Sequence, residues 1–229
     1  MPNIVFVACP IMDIDFDGRW QPTLQDRFRD APALGVYLLV GHLLRRDIQC
    51  DIIDWVSEPS TPLEVIAERI ANYSIVFYSC NSMNWSAVRA LACAVNRIAP
   101  SLRSCVGGPH PTYYPRAVRD SGCFDSLFRG EADEFIADIA VDLSDCSPNK
   151  HIPGYWRFDR SDDLPVVHQI TNLERIDWRP AYERLPTNSF RAITIETSRG
   201  CKFQCSFCSI PAKRNWRPYP IEQMRAQLE

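Results

Sequence analysis

The sequence contains no run of 18 uncharged apolar residues, and so offers no segment able to cross a bilayer as a helix. Its first residues, Met1-Pro2-Asn3-Ile4-Val5-Phe6-Val7-Ala8, lack the basic start and long apolar stretch of a secretory signal, and a cytoplasmic location is expected. There is no long basic run to argue for nucleic acid, no internal repeat and no low-complexity segment. Two nucleotide-binding signatures are missing as well. Gly-x-Gly-x-x-Gly does not follow the first strand pattern, where Ala8-Cys9-Pro10-Ile11 stands instead, and no phosphate-cradling P-loop occurs. Asp13, Asp15 and Asp17 alternate like calcium ligands, but the required spacing and closing glutamate are absent, so they read as a solvated loop.

What is present is globular: 229 residues, 46% hydrophobic and 23% charged, enough for one large or two modest domains. Of ten cysteines, seven (Cys9, Cys50, Cys80, Cys93, Cys105, Cys123, Cys146) are scattered singly through the chain, and they read as buried small hydrophobes in a reducing compartment. The other three sit in one tight cluster. Charge is uneven too: residues 1–190 carry 18 basic and 25 acidic side chains, a net −7, whereas residues 191–229 carry 7 and 3, a net +4. Such a basic tail suits an anionic cluster or ligand, or is an ordinary solvated face.

Up to about residue 145, short β-rich runs alternate with helical patterns. The spacing predicts strands at Asn3–Ala8, Gln49–Trp55, Ser74–Tyr78, Arg103–Val106 and Phe124–Phe128, with helices between them, including one over Trp85–Ile98. That order predicts an α/β fold, a Rossmann-like doubly wound parallel sheet of five strands. Residues 146–189 hold prolines 148, 153, 165, 180 and 186 and read as an ordered connector with one short strand pair, Gly154–Phe158 with Val166–Gln169. From residue 190 the alternation restarts, with a strand at Arg191–Glu196, the cysteine loop, and a helix at Ile221–Leu228. A strand, a loop and a helix cannot bury both faces alone, so residues 190–229 read as a second domain cut off after its first unit.

Ligands of open α/β sheets sit beyond the carboxyl ends of the strands. Four loops qualify here: Cys9–Ile11, Ser79–Asn84, Gly107–Thr112 and Arg129–Asp133. Gly107 and Gly108 permit close backbone approach to a bulky ligand. His110, between Pro109 and Pro111, is either a contact to such a ligand or a loop residue constrained by its turn.

The cysteine loop reads Cys201-Lys202-Phe203-Gln204-Cys205-Ser206-Phe207-Cys208. Three thiolates on a short loop can hold three irons of a cluster and leave a fourth open to a small molecule. A structural zinc site is the competing reading, but it wants a fourth ligand, and no histidine follows His168.

Cys-x-x-x-Cys-x-aromatic-Cys, preceded by Thr197-Ser198-Arg199-Gly200, resembles the radical S-adenosylmethionine superfamily. The resemblance implies a [4Fe–4S] cluster on Cys201, Cys205 and Cys208, S-adenosylmethionine on the open iron with Phe207 beside its adenine, and reductive cleavage of the sulfonium to a 5′-deoxyadenosyl radical. Arg199 would neutralise cluster or ligand charge. A reductant such as flavodoxin or ferredoxin and a small-molecule substrate are the implied partners, and residues 190–229 become the first β/α unit of an incomplete barrel whose remainder a longer chain or a partner chain supplies.

Pro32-Ala33-Leu34-Gly35, Val106-Gly107-Gly108-Pro109-His110-Pro111-Thr112 and Arg129-Gly130-Glu131 together resemble the cobalamin-binding domain that precedes many radical S-adenosylmethionine domains. This implies a corrinoid between the two domains, contacted by Ser79, Gly107, Gly108 and His110. The Asp-x-His-x-x-Gly string of many cobalamin domains is absent. The expected activity is methyl transfer or radical rearrangement on a small molecule. The alternatives are radical chemistry without a corrinoid, and a non-catalytic cluster-binding or corrinoid-binding module.

Overall fold

The structure, a computed structural model, describes residues 3–14, 20–22, 31–144, 151–159, 163–176, 179–186, 190–210 and 213–225. Short, largely buried runs form the parallel strands Ile4–Ala8 (β1), Cys50–Asp54 (β4), Ile75–Ser79 (β5), Arg103–Gly107 (β6) and Ser126–Phe128 (β7), with the hairpin Met12–Ile14 (β2) and Trp20–Pro22 (β3) after β1. The helices are Leu34–Leu44 (α1), Leu63–Ile70 (α2), Trp85–Ile98 (α3), Pro109–Tyr113 (α4), Pro115–Asp120 (α5) and Ile136–Ser144 (α6). Tyr155–Arg157 (β8) joins the sheet antiparallel to β7, which gives six strands in the order β4-β1-β5-β6-β7-β8.

Successive side chains of a strand point to opposite faces, and β1 divides accordingly. Val5 and Val7 lie in the core shared with α2, α3 and α5, whereas Ile4, Phe6 and Ala8 lie in the core shared with α1 and α6. Both faces are therefore covered, as continuous apolar strands require. The five parallel strands run in the 2-1-3-4-5 order of flavodoxin-like sheets, with the chain reversing direction across the sheet between β1 and β5.

Four expectations need correction. The predicted strand pair of the connector does not form: Tyr155–Arg157 pairs with β7, and His168 makes a parallel bridge to Gly130, so both segments extend the same side of the sheet. The predicted strand Arg191–Glu196 is irregular; no strand among the described residues pairs with it, and the ribbon here is Ser198–Arg199 (β9) against Arg217–Pro218 (β10), followed by Ile221–Arg225 (α7). Part of the aspartate-rich loop is ordered as β2, paired with β3, while Asp15 and Asp17 lie outside the described residues. Cys93 and Cys123 are joined in a disulfide, because the end of α3 lies against the turn before β7, where Asn96 Nδ2 also donates to the Cys123 carbonyl at 3.0 Å. Cys9, Cys50, Cys80 and Cys105 are buried free thiols as expected, and Cys146 lies outside the described residues.

The connector packs on α1. At Gly41 an added Cβ would lie 2.5 Å from the Arg179 carbonyl, so only glycine admits the passing chain. Leu38 then meets Ile170, Leu173, Ile176 and Tyr219 in a small separate core. Among the described residues, no helix is long and apolar enough to cross a membrane.

Candidate functional site

A crevice of about 500 Å³ opens at the carboxyl ends of the parallel strands, within the range of roughly 300–1,000 Å³ usual for ligand clefts. Its floor is Phe6 of β1 and Phe77 of β5, stacked at 4.7 Å across the point where strand order reverses. Ser79, Gly107, Gly108 and Gly130 form the rim on the sheet side, Gly35 and Leu39 of α1 and Ile136 of α6 flank it, and Glu196, Ser198, Arg199 and Gly200 form the opposite wall. An added Cβ at Gly35 or Gly107 meets nothing within 4 Å, so both glycines face open space. A hollow of about 220 Å³ shares Gly108, Gly130, Glu131 and Gly200 with the crevice and reaches His168 and Ile210. Hollows of about 580 and 660 Å³ at the amino ends of β1 and β4 lie at the end of the sheet away from ligand sites of this fold.

Two rim glycines are dictated by backbone. Gly108 adopts φ +110° and caps α4, with Pro109 in its first turn; a Cβ there would meet the Cys80 carbonyl at 2.5 Å. Gly130 adopts φ +103°, and a Cβ would lie 2.0 Å from the His168 carbonyl, which accepts from Glu131 N. Thr112 ties the two loops together: its hydroxyl donates to the Gly108 carbonyl at 2.8 Å and accepts from Gly130 N at 3.1 Å.

The loop after β7 holds the tail against the crevice through two arginine–carboxylate forks. Arg199 Nη1 and Nη2 donate to Asp133 at 2.8 and 2.9 Å, and Arg199 Nε donates to Glu196 at 2.9 Å. Arg217 Nη1 and Nη2 donate to Glu131 at 2.8 and 2.7 Å, while Glu131 also accepts from Ile170 N at 2.9 Å. Burial opposes charge on Asp133, but the His42 ring beside it, the hydrogen bonds from Arg199 and the Arg199 charge outweigh it and hold the carboxyl well below the usual carboxylate range. His42 Nε2 lies 3.4 Å from Asp133 Oδ1, in ion-pair range though not aligned as a hydrogen bond. Burial alone would lower Arg199, yet its carboxylate partners raise it above the ordinary guanidinium value.

Of the residues singled out from the sequence, Ser79, Gly107, Gly108 and Arg199 line the crevice. Arg199 does so with its guanidinium engaged by Asp133 and Glu196 rather than turned to a cluster. His110 is placed elsewhere. Its ring stacks on Trp85 at 4.5 Å, lies 5.1 Å from Tyr114 and takes a 3.1 Å hydrogen bond with Ser82 through Nδ1, and burial lowers its pKa. It is outside the crevice lining, as a turn-constrained residue would be. Phe207 is 90% exposed. Cys201, Cys205 and Cys208 are free thiols, and two of them accept backbone N–H bonds, from Phe203 at 3.4 Å and from Ile210 at 3.5 Å. As placed, however, no three His, Cys, Asp or Glu side chains among the described residues could hold a metal ion together.

Sequence reasoning passed over Glu131, Asp133, Arg217 and His42. The available signal was the opposed charge of the two parts of the chain, together with two acids spaced by one residue in Arg129-Gly130-Glu131-Ala132-Asp133.

Comparison with known proteins follows the same lines. The chain is 28% identical over 210 residues to an uncharacterized methyltransferase of Pyrococcus horikoshii, covering 86% of this chain and 45% of that protein. It is 27% identical over 180 residues to an anaerobic magnesium-protoporphyrin IX monomethyl ester cyclase of Rubrivivax gelatinosus, covering 72% of this chain and 32% of that one. The chain thus spans less than half the length of these relatives. Its fold is similar, at a TM-score of 0.72 and 19% identity, to that of the cobalamin-dependent S-adenosylmethionine radical enzyme OxsB with aqua-cobalamin bound, covering 100% of this chain and 31% of that one. A family model described as the B12 binding domain matches residues 23–140, more than half of the chain. With its parallel sheet and glycine-rimmed crevice, the protein belongs to the B12-binding domain family.

Proposed function

We propose that this chain is the corrinoid-binding part of a cobalamin-dependent radical S-adenosylmethionine enzyme, acting by methyl transfer or radical rearrangement on a small molecule or natural-product intermediate. The observation that carries the reading is the crevice. It lies at the strand-order reversal, has an aromatic floor, and is lined by Gly35 and Gly107, whose missing side chains leave room for a large planar group. Residues 1–145 would form the cobalamin unit, 146–189 the connector and 190–229 the start of the radical S-adenosylmethionine unit.

When bound, the corrinoid would supply an alkyl-carrying cobalt, and a [4Fe–4S] cluster would supply an electron to S-adenosylmethionine, drawn from flavodoxin or ferredoxin. The chain's own residues bind and orient. Phe6 and Phe77 keep water from the buried side of the crevice, the Ser79 hydroxyl and the backbone at Gly107 and Gly108 meet the ligand edge, and Glu131 and Asp133 hold the tail close. Cys201, Cys205 and Cys208 have the chemistry to ligate iron, and amides already donate to two of these sulfurs. Their present placement does not fit a cluster, and it favours a second reading in which the chain acts as a non-catalytic corrinoid-binding module.

Anaerobic reconstitution with iron, sulfide and hydroxocobalamin separates the readings. Retained corrinoid absorbance with about one cobalt and about four irons per chain, the iron lost in Cys205→Ala, is the expected result. Cobalt without iron supports the binding module. A chain that retains no cobalt sinks both.

A further inference from the structure

The ribbon β9–β10 carries an internal conflict. Arg199 stands directly opposite Arg217 in its register, and like charges facing one another across strands repel. A ribbon of two residues per strand does not hold itself in water either. Glu131 and Asp133, two residues apart on the loop after β7, resolve both problems by taking one guanidinium each in a two-bonded fork. The groups are mostly buried, with side-chain exposures of 9% for Arg199, 8% for Arg217, 6% for Asp133 and 20% for Glu131.

The clamp also shapes the crevice. Glu196, Ser198, Arg199 and Gly200, which make its outer wall, directly precede Cys201. A ligand that fills the crevice touches the sheet on one side and the clamped ribbon on the other.

We propose that this double clamp makes corrinoid binding and docking of the cysteine loop one linked event, with Glu131, Asp133, Arg199 and Arg217 as the positioning residues. The inference rests on the corrinoid reading above. A ligand that contacts both walls binds the docked arrangement better than the undocked one. By linkage, loosening the clamp weakens the ligand by the same factor by which the ligand tightens the loop.

The test uses the full chain, hydroxocobalamin as probe, and trypsin, for which Lys202, between Cys201 and Cys205, and Arg214, after Cys208, are exposed sites. Saturating hydroxocobalamin is expected to slow wild-type cleavage at these sites about tenfold. Arg217→Gln is expected to be cut faster without ligand and to bind hydroxocobalamin about tenfold more weakly, with Arg217→Lys intermediate. Glu131→Gln should shift both readouts in the same direction as Arg217→Gln, and the double variant should lose less than the sum of the two, because both break the same fork. A merely structural role would lower the melting temperature without moving the affinity or the protection. The inference is overturned if saturated wild type is cut as fast as ligand-free protein, or if a loosened Arg217→Gln binds like wild type. Should Arg217→Gln fail to fold, wild-type protection alone decides. If wild type takes up no hydroxocobalamin, the corrinoid reading itself falls, which is a different result from equal uptake by wild type and variant.

Discussion

The sheet and the tail are held by different forces. In the sheet, Val5, Val7 and Val76 are fully buried against Leu91 and Val95 of α3, and cohesion comes from apolar area. In the tail, Ile193, Phe203, Phe207, Trp216 and Ile221 are exposed, and position comes chiefly from two ion-pair forks, with Tyr219 as its one buried anchor in the small core on α1 among the described residues. The difference teaches that the cysteine loop is located by charge before it is located by packing. Acid should therefore move the tail before it moves the sheet.

The largest expected break comes from Arg199→Met. It leaves the Asp133 carboxylate buried with only His42 nearby, a change worth about 3–5 kcal/mol where one partner of a buried pair is removed. Hydrogen exchange should rise in the tail and stay unchanged in β1 and β5; equal loosening of both would show that the two regions are not separable.

Next is Gly130→Ala, expected to cost about 2–4 kcal/mol because φ +103° and the His168 carbonyl both exclude a side chain. The matched control is Gly107→Ala, whose Cβ meets open space. It should leave thermal stability within about 0.5 kcal/mol while weakening hydroxocobalamin uptake. Equal melting temperatures for the two variants would contradict the assignment of one glycine to backbone and the other to the ligand.

Two buried aspartates sharpen the comparison further. Asp133 has a folded pKa below its unfolded value, so its contribution is complete above about pH 4 and is lost as pH falls through the folded value. Asp54 in the sheet is the reverse. Burial raises it, and the 2.7 Å bond from Tyr37 with the backbone amides of Ser57 and Val56 offsets that only in part. Its contribution is complete below about pH 4 and is lost as pH rises through its folded value. Asp54→Asn should accordingly raise stability near neutral pH by about 1 kcal/mol, whereas Asp133→Asn lowers it. Denaturation melts at pH 4 and pH 7.5 read both signs, and two shifts of the same sign would refute the contrast.

The same division explains how much could be read from the chain. The strands and the helix Trp85–Ile98 were legible because their periodic apolar residues bury against immediate neighbours in the fold. The crevice residues Ser79, Gly107 and Gly108 were legible because strand ends place ligands. Arg191–Glu196 was not, since alternation predicts a strand only where a neighbouring strand supplies hydrogen bonds. The roles of Asp133 and Glu131 were hidden for a similar reason: partners 66 and 86 residues away leave no local periodic trace.

The smallest expected effect belongs to Phe207→Ala. Removing a large aromatic from a sheet core costs about 3–5 kcal/mol through lost burial and an unfilled cavity. At 90% exposure Phe207 has almost no burial to lose, so the change in stability should stay within about 0.5 kcal/mol. A silent substitution there would leave the contrast between the two regions standing. If instead Phe207→Ala lowered the melting temperature as much as Phe77→Ala, the tail would carry a packed core of its own, and the contrast between an apolar sheet and a charge-held tail would fail.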